Sequence, residues 1–381
     1  MTQDITNRAK PNIPWAGKTV HMERVEEELF RLWHMSADNM RISQNLHVRT
    51  SVLNFVICAH DIPSAQKASA ILRNLSSTHI ARVTLLILDT STNAPTDVTT
   101  WVTLRSFSII SDIMRHAFEQ ITVLVSGQAV HSAANIIQPL LKPDLPIYLW
   151  WLSDPVSEND LFRRIASVSN RVIVDSNDFS APGQSIGTLS SFAENFPDCA
   201  VSDLNWGHIT PWRQLVAQFF DTTEFQPYLA GIHTIEVEYA VAPLSESGGV
   251  ALNPTRAWLI AAWLKTRLSL LPKSSSEQDA DKVNIFIRPR TQSDIQPGSL
   301  CLIRLTSSLD NHQAIFTIDR GDDAEHVLTQ VELPLANRPQ RAVSMATTHA
   351  VNELLHEELE ILGHDHSYED TLHEMYALFA R

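Results

Sequence analysis

A serine between two glycines is the pattern in this chain with the most direct link to catalysis. Gly183, Ser185 and Gly187 fit the motif G-x-S-x-G, in which a serine at a sharp strand-to-helix turn attacks an acyl carbon. That geometry requires a strand that runs directly into the motif. The preceding segment, 176–183, contains Pro182 and no apolar run. We therefore expect Ser185 to lie on a loop, and we assign it no catalytic role.

Histidines near the end of the chain are a second pattern with chemical potential, because they could hold a divalent cation. His364 and His366 lie one residue apart, and His356 and His373 lie on either side of them. Two histidines at this spacing do not define the four ligands of a tetrahedral site. The surrounding acidic residues are typical of a solvated helix face. We predict no metal site here and no cofactor.

Polar side chains also collect where the predicted strands end. Parallel strands end at one edge of a sheet, where ligands usually bind, so one interpretation is a site for a sugar phosphate or nucleotide. The other is that these residues cap helices or form turns, the common roles of Asp, Ser and Thr, and we favour it. No glycine-rich turn follows the first strand, which removes the main sequence support for a dinucleotide. The residues are His60 and Asp61, Asp89 and Thr90, Ser126 and Gln128, Ser153 and Asp154, and Asp175 and Ser176.

The segment 206–213 is rich in side chains that dominate protein interfaces. Trp206 and Trp212 flank a predicted helix start at Thr210, and Arg213 follows. Tryptophan and arginine are enriched in binding hot spots, which indicates a partner surface. Alternatively, both rings pack between two domains with Arg213 beside them. We favour packing, and both interpretations can hold at a domain junction.

These side chains must be positioned by strands and helices, and the central strands are the clearest. Residues 146–155 and 171–176 are apolar runs that end in acidic and small polar residues, as buried parallel strands do. Leu161, Ile165 and Val168 lie between them on one helical face, so the unit is predicted as strand, helix, strand. Other predicted strands are 51–59, 83–88, 102–109 and 121–125, and other predicted helices are 25–33, 65–75 and 129–141. We predict a mostly parallel, Rossmann-like α/β sheet flanked by helices, with 102–109 as an antiparallel edge strand.

A second region begins near Asp203 and has a different order of elements. Helices are predicted from Thr210, from Asn253 and around 351–359. Strands are predicted at 232–240, 283–287, 300–305, 314–318 and 326–333. Consecutive strands with separate helices indicate an α+β region. We therefore predict an N-terminal α/β domain over residues 1–200 and a C-terminal α+β domain over residues 201–381.

Composition excludes several classes of partner and site. The 29 basic and 43 acidic residues give a net charge of −14, which would repel the phosphates of nucleic acid. Cys58, Cys199 and Cys301 lie far apart and form no C-x-x-C motif, so we expect no zinc ribbon or thioredoxin-type site and a reducing cytoplasm. Residues 1–14 contain no apolar signal segment, and the longest apolar stretches have the length of strands. We expect a soluble chain without a membrane partner.

Several blocks of the sequence, taken in order, resemble the glucose-6-phosphate dehydrogenase assembly protein family (OpcA). The central pair is IYLWWLSDP at 147–155 and RVIVDS at 171–176. The other blocks are VEEELFRLW at 25–33, RTSVLNFVI at 49–57, HIARVTLL at 79–86, DLNWGHITPWR at 203–213, AWLKTRL at 262–268 and LLHEELEILGHDHSYEDTL at 354–372. Each block alone is moderately specific, and their collinear order over nearly the whole chain argues against coincidence.

The resemblance implies a non-catalytic accessory protein. Such a protein binds glucose-6-phosphate dehydrogenase and promotes its oligomeric assembly or allosteric activation, and thereby controls entry into the oxidative pentose phosphate pathway. The implied partner is the dehydrogenase, whereas stoichiometry and self-association stay open. For Trp150 and Trp151 the alternative is a position in the buried core. The residues that we assign to partner binding are Trp150, Trp151, Asp154, Asp175, Trp206, His208, Trp212 and Arg213.

Two features limit what the resemblance implies. His208 stands where we expect arginine in the family, so the charge at that position would depend on pH. Redox control through cysteines is not carried over, because Cys58 lies in a predicted buried strand and the other two have no visible mate. The competing classes are an enzyme or sensor with a ligand at the strand ends, and a structural scaffold with other partners.

Overall fold

The computed structural model shows two β-sheets with helices packed against them. It describes residues 13–43, 46–48, 51–75, 81–91, 94–110, 114–155, 160–242, 253–271, 283–292, 295–310, 312–321, 326–333, 341–344 and 350–380. Most of the segment 1–14, for which we predict no signal sequence, lies outside these ranges. None of the helices in the described ranges is long and apolar enough to cross a bilayer.

The first half of the chain alternates strands and helices. Its elements are β1 (Lys18–Val20), α1 (Val25–Ser43), β2 (Leu46–Val48), β3 (Leu53–Ala59), α2 (Ile62–Leu75), β4 (Ala81–Asp89), β5 (Asp97–Ile110), β6 (Met114–Ser126), α3 (Ala133–Ile137), β7 (Ile147–Trp151), α4 (Leu161–Ala166), β8 (Arg171–Val174), α5 (Pro182–Asn195) and β9 (Ala200–Asp203).

Six of these strands form a parallel sheet in the order β6-β4-β3-β7-β8-β9. Counted along the chain, this order is 3-2-1-4-5-6, that of a Rossmann-like doubly wound fold. On the outer side, β5 pairs antiparallel with β6 and β1 pairs antiparallel with β5, while β2 pairs in parallel with β6. The predicted α/β fold class is confirmed.

The sequence patterns located most of the buried strands, but they missed β9, which is buried throughout, and they located the short elements less well. The strand, helix, strand unit is confirmed as β7, α4 and β8, with β7 and β8 parallel. Val168 is not part of its apolar face, because α4 ends at Ala166 and Val168 is exposed. β5 is antiparallel as predicted. β1 pairs with it only at Thr100 to Val102, so among the described residues the predicted edge positions 103–109 have no further strand on that side.

The second half builds a separate sheet. Its elements are α6 (Leu204–His208), α7 (Thr210–Phe220), α8 (Gln226–Leu229), β10 (Ile232–Val241), α9 (Thr255–Ser269), β11 (Asn284–Thr291), β12 (Leu300–Leu309), β13 (His312–Asp319), β14 (His326–Glu332), β15 (Arg341–Ser344), α10 (Val351–Glu360) and α11 (His366–Phe379). Within the described residues the sheet order is β11-β10-β12-β13-β14-β15, antiparallel except for the pair β10 and β11.

The last two helices return to the first half of the chain. Helix α10 packs against α2 and α6, and α11 packs against α5 and α9. Leu354 and Leu355 of α10 share a buried cluster with Leu72 of α2 and Trp150 of β7. A larger cluster contains residues of both sheets. The division into residues 1–200 and 201–381 stays a prediction.

Candidate functional site

The strand ends of the parallel sheet carry the polar side chains that the sequence singled out, and several of the carboxylates among them cap the next segment. Asp61 accepts a hydrogen bond from the backbone nitrogen of Ser64 at 2.6 Å, at the start of α2. Asp89 accepts one from the backbone nitrogen of Ser91 at 3.0 Å. Asp175 accepts one from the backbone nitrogen of Asn177 at 3.1 Å. These three carboxylates therefore have the capping role that we favoured.

Asp154 fixes the start of α5 and also accounts for the glycine-flanked serine. Its carboxylate accepts hydrogen bonds from the backbone nitrogen of Ser180 at 3.1 Å and from the hydroxyl of Ser185 at 2.6 Å. Burial raises the pKa of Asp154, but the hydrogen bonds from Ser180 and Ser185 outweigh it, so the pKa lies below its ordinary value. The carboxylate is thus an ionised anchor for this turn.

The predicted loop position of Ser185 is wrong. The motif from Gly183 to Gly187 lies inside α5, whose first residue is Pro182, and Ser185 is 1% exposed. The prediction failed because Pro182 starts the helix, as proline often does, instead of marking a loop. No strand leads directly into the motif, since β8 ends at Val174. The geometry is not that of a nucleophile elbow, which agrees with giving Ser185 no catalytic role.

The topological switch point of the sheet lies between β3 and β7. The register Cys58 to Trp151 places His60 and Ser153 opposite each other just beyond the strands, on the same face of the sheet. The His60 ring stands edge-on to Trp151, with 5.4 Å between ring centres. Burial lowers the pKa of His60. Nε2 of His60 and Oγ of Ser153 are shielded from solvent and have no hydrogen-bond partner among the residues that the structure describes.

A dinucleotide does not fit this switch point. In Rossmann-like enzymes the first turn is glycine-rich and the pyrophosphate sits on the N-terminus of the following helix. Here the turn from His60 to Ser64 contains no glycine. The helix N-terminus is already occupied by the Asp61 carboxylate, which would repel a phosphate. Among the described residues at this strand edge, His60 and Ser153 are the ones with buried polar atoms that lack a hydrogen-bond partner.

At the ends of β8 and β9 the edge is closed by a buried polar network. Asp203 accepts hydrogen bonds from the backbone nitrogen of Ser176 at 3.0 Å and from that of Asn205 at 2.9 Å. The side chain of Asn205 in turn accepts from Nε of Arg256 at 2.6 Å. Arg256 belongs to α9, and its Nη1 donates to Ser299 before β12 at 3.2 Å. Arg256, from the second half of the chain, therefore occupies the position where an open Rossmann-like sheet would have a cleft.

Burial changes the acidity of this network. It raises the pKa of Asp203 to about 6, against the hydrogen bonds from Ser176 and Asn205. Burial, together with the neighbouring carboxylates Asp203 and Asp178, raises the pKa of Asp175 to about 7. Burial also lowers the pKa of Arg256, while the attraction of Asp175 and Asp203 opposes that shift. The junction therefore contains two carboxyl groups that take up protons near neutral pH.

A second polar cluster holds α11 at the junction of the two halves. Trp206, only 4% exposed, donates from its indole nitrogen to Asp365 at 2.8 Å. The guanidinium of Arg213 lies over the ring of Trp206 and donates to the hydroxyl of Thr210 at 2.7 Å. Burial lowers the pKa of Arg213 to about 10, although Asp365 attracts its charge. The packing interpretation of this segment thus describes the structure.

The residues assigned to partner binding fall into two groups. Trp150, Trp151, Trp206 and Trp212 are each at most 4% exposed, so their rings belong to the core. Trp150 and Trp151 even lie on opposite faces of the sheet, in different clusters. Their direct role in binding, like that of the others, stays a prediction. The members with partly exposed side chains are Asp154, Asp175, His208 and Arg213.

Sequence reasoning missed the buried charges that join the two halves. Arg171, 1% exposed, donates to the hydroxyl of Ser202 and the carbonyl oxygen of Gly363, and its Nη1 lies 3.3 Å from a carboxylate oxygen of Glu358. A charged residue at the start of the apolar run 171–174 is the one sequence signal for this role. Its partners lie far along the chain, so spacing could not reveal them.

The C-terminal histidines bind side chains of the same region. His364 lies 2.5 Å from a carboxylate oxygen of Glu369, and His366 lies 3.4 Å from the other oxygen. His373 contacts the hydroxyl of Ser190 at 2.8 Å. Across the part of the chain that the structure describes, no three His, Cys, Asp or Glu side chains are grouped as metal ligands.

Together, the fold and the closed strand edge define a two-sheet α/β protein with Rossmann-like topology whose dinucleotide position is filled by its own side chains. Residues 73–191 match a family model described as the N-terminal domain of a glucose-6-phosphate dehydrogenase subunit. Residues 199–372 match the model for the C-terminal domain of the same subunit. The chain belongs to the glucose-6-phosphate dehydrogenase assembly family (OpcA).

Two curated relatives carry the proposed designation "OxPP cycle protein OpcA". The protein from Synechocystis sp. is 34% identical over 160 residues, which cover 42% of this chain and 31% of the relative. The protein from Nostoc punctiforme is 32% identical over 182 residues, which cover 47% of this chain and 37% of the relative. The chain thus matches about a third of the length of these relatives.

The solved structures that match this chain include a dehydrogenase (MviM) from Clostridium difficile. Its TM-score is 0.37 and its sequence identity 9%, over 86% of this chain and 97% of that chain. The myo-inositol dehydrogenase from Lactobacillus casei gives a TM-score of 0.37 and 6% identity, over 86% of this chain and 93% of that chain. At TM-scores of this size, nothing further is concluded from the likeness.

Proposed function

We propose that this chain is a non-catalytic accessory protein that binds glucose-6-phosphate dehydrogenase and promotes its oligomeric assembly and activation. The observation that carries the proposal is the family match, which extends over both halves of the chain. Through that partner the chain controls entry into the oxidative pentose phosphate pathway. The three cysteines are free and buried, which suits a reducing cytoplasm, where we place the complex.

The chemistry of the strand edge supports an accessory role. Asp61, Asp154 and Asp203 use their carboxylates to hold backbone nitrogens and hydroxyls of neighbouring segments. Arg256 fills the edge at β8 and β9. These groups stabilise the fold, and their geometry suits a rigid binding surface.

Activation by contact has a thermodynamic requirement. An activator must bind one state of its target more tightly than another, because equal affinity for both shifts no equilibrium. We propose that this chain binds the active oligomer of the dehydrogenase more tightly than its inactive form. The accessible residues of the junction contribute to binding of the dehydrogenase. They are His208 and Arg213, together with Asp154 and Asp175.

The decisive experiment adds the purified chain to its cognate dehydrogenase. Turnover and oligomer size are measured together, by initial rate and by light scattering after size-exclusion chromatography. We expect a rise in turnover and a shift to a larger species that contains both proteins. An unrelated NADP-linked dehydrogenase is the control. A cognate enzyme whose rate and size are unchanged would refute the proposal.

The contribution of the junction is tested with Arg213→Ala. Because Arg213 also covers Trp206, the variant must first be shown to be folded by its melting curve. We expect weaker co-elution of the variant with the dehydrogenase. Arg24→Ala, at an exposed arginine far along the sequence, is the matched control. Unchanged binding by folded Arg213→Ala would remove this residue from the interface.

A small ligand at the switch point is the second candidate function. The unsatisfied Nε2 of His60 and Oγ of Ser153, on one face of the sheet, are the observation that favours it. Glucose 6-phosphate is titrated into the isolated chain, with NADP titrated separately as a comparison because a dinucleotide does not fit this turn, and the melting temperature is recorded. A stabilising ligand whose effect is lost in His60→Ala would support this candidate, whereas no shift with either compound would exclude both as ligands.

A further inference from the structure

A groove between α3 and α4 is lined by basic, neutral polar and apolar side chains. Its volume is about 290 Å³, at the lower end of the range of ligand-sized clefts. His131, just before α3, and Val168, just after α4, both belong to its lining. None of the residues assigned above to partner binding lines it, so it is a separate surface.

The apolar part of the lining includes an aliphatic side chain that faces solvent. Val168 is 55% exposed, although the sequence pattern placed it on the buried face of its helix. Leu141 and Ile147, the first residue of β7, are half-buried members of the same lining. Covering these side chains with a partner would remove apolar surface from water, which is favourable. The groove therefore offers a place for an apolar side chain to pack.

The charge of the lining is positive, whereas the whole chain has a net charge of −14. Of the described residues that line the groove, none is acidic, and Arg164 carries the charge. Exposed arginines elsewhere have acidic partners, as Arg31 does, which lies 2.6 Å from a carboxylate oxygen of Glu28. Within the described part of the chain, Arg164 has no carboxylate at ion-pair distance. An acidic segment that the rest of the surface repels is therefore attracted to this groove.

Arg164 is held in position while most of its hydrogen-bond donors are unused. Its Nη1 donates to the carbonyl oxygen of His131 at 3.0 Å, which ties the guanidinium to the segment before α3. Among the described residues, its other N–H groups and the side-chain amides of Asn135 and Gln138 have no hydrogen-bond partner. A guanidinium with free N–H groups matches the two oxygens of a carboxylate. The lining thus combines donors for an anion with an apolar surface.

We propose that the groove between α3 and α4 binds a surface segment of glucose-6-phosphate dehydrogenase in which an Asp or Glu side chain stands next to an apolar one. The carboxylate pairs with Arg164, and the apolar side chain packs on Val168. This inference rests on the proposed function and names a surface that serves it. It adds a contact on α4 to the one proposed for the junction at Arg213.

Charge reversal at neighbouring positions is the direct test. Arg164→Glu is compared with Arg163→Glu, because Arg163 lies on the same helix, is also exposed and does not line this groove. Thermal melting first shows that both variants are folded, since Arg164 also holds the backbone at His131. We expect Arg164→Glu to weaken binding to the dehydrogenase by about tenfold or more, as loss of a hot-spot contact does. Arg163→Glu should bind nearly as tightly as the wild type, and equal affinities of the two variants would overturn the proposal.

The shape of the guanidinium gives a further measurement. Arg164→Lys keeps the positive charge but lacks the planar fork that matches a carboxylate. We expect this variant to retain only part of the affinity, with the same decrease in affinity as salt is raised. An Arg164→Lys chain that binds as weakly as Arg164→Glu would show that charge attraction does not act in this groove.

Filling the groove tests its apolar part while Arg164 stays in place. Ser167→Trp puts an indole into the lining, and Ser191→Trp makes the same change at an exposed serine of α5 that lines a different groove. We expect only Ser167→Trp to weaken binding to the dehydrogenase. If both folded variants bind equally well, the groove is not the docking surface.

A second copy of this acidic chain is the alternative occupant. In that case light scattering of the isolated wild type would show a dimer that Arg164→Glu abolishes, and binding to the dehydrogenase would be the same for both. That result would overturn the proposal.

Failure of the groove and failure of the proposed function give different results. A wild-type chain that does not bind the dehydrogenase would refute the proposed function itself. A wild-type chain that binds, with Arg164→Glu and Ser167→Trp equal to their controls, would refute the groove and leave the proposed function intact.

Discussion

The guanidinium carbon of Arg213 lies 3.5 Å from the centre of the Trp206 ring. This distance is well inside the roughly 6 Å range of cation–π contacts. Trp206 belongs to α6 and Arg213 to α7, while the indole nitrogen of Trp206 donates to Asp365 at the start of α11. One ring therefore joins three helices at the boundary between the two sheets.

Arg213→Ala should destabilise the protein. Loss of the stacked guanidinium removes about 1–2 kcal/mol of partly desolvated cation–π and packing energy. Arg213→Lys should recover only part of it, because an ammonium does not stack as a planar guanidinium does. Urea denaturation followed by tryptophan fluorescence measures the effect. A variant with wild-type stability would show that the contact is energetically neutral.

Removing one partner of the buried ion pair between Arg171 and Glu358 should lower the free energy of unfolding by more than Arg213→Ala does. Arg171→Leu leaves the largely buried Glu358 without its cation, which typically costs about 3–5 kcal/mol. Arg171→Leu combined with Glu358→Leu should be more stable than Arg171→Leu alone, because no unpaired charge is left. Denaturant titration of the wild type, both single variants and the double variant gives the coupling. If the effects of the two single variants on the free energy of unfolding simply add in the double variant, this interpretation is contradicted.

Stability should depend on pH near neutrality through Asp175. Its pKa is 3.8 in the unfolded reference and about 7 in the folded chain, so the folded chain binds more protons between these values. The resulting stabilisation is present below the unfolded value and is lost as pH rises through about 7. The melting temperature should therefore be higher at pH 6.5 than at pH 8.

Asp175→Asn is the variant that isolates this effect, and it should flatten the change between pH 6.5 and pH 8. Asp198→Asn, at an exposed carboxylate, is the control. The interval avoids lower pH, where the lowered pKa of His60 acts in the opposite direction. Identical profiles for the wild type and Asp175→Asn would exclude Asp175 as the group responsible.

Alanine should have opposite effects at the two ends of the G-x-S-x-G motif. Gly187→Ala should destabilise by about 1 kcal/mol or more, because the new methyl group meets the Tyr376 ring. Gly183→Ala should be neutral or stabilising, since it has free space and alanine favours helix. Removing the ring in Gly187→Ala/Tyr376→Ala should cancel most of the steric cost. Thermal melts of these variants and of Tyr376→Ala measure the effects on stability. Equal changes in melting temperature at both glycines would contradict the predicted difference.

The three thiols should be unreactive in the folded chain. Burial raises the pKa of Cys58 strongly, that of Cys199 to about 12 and that of Cys301 to about 11, so thiolate is scarce at pH 8. A disulfide reagent such as Ellman's reagent should titrate all three only after unfolding in urea. Rapid labelling of one native thiol would instead indicate an accessible redox site.

The sequence was most informative where burial is complete. β3, β4, β7 and β8 are mostly apolar and were predicted close to their observed limits, because buried parallel strands leave largely apolar runs. The three-residue strands β1 and β2 were missed, since so few residues show no periodicity.

The candidate site was harder to predict, because it depends on contacts between distant segments. Capping by Asp61 follows from local rules and could be expected. The contact of Arg256 with Asn205, and that of Arg171 with Glu358, join residues far apart in sequence, which no local pattern records. The tryptophans were assigned to partner binding because tryptophan is enriched in binding hot spots. The structure places their rings in the core, and their role in binding stays a prediction.

The return of α10 and α11 has a consequence for biosynthesis. Leu354 and Leu355 complete the cluster around Trp150, and Gly363 accepts a hydrogen bond from Arg171. During translation the first sheet is synthesised long before these residues. The apolar surface around Trp150 therefore stays partly exposed until the end of the chain has been made. Nonsense or frameshift changes that remove only residues 350–381 should therefore yield chains that chaperones and proteases retain, although both sheets are encoded in full.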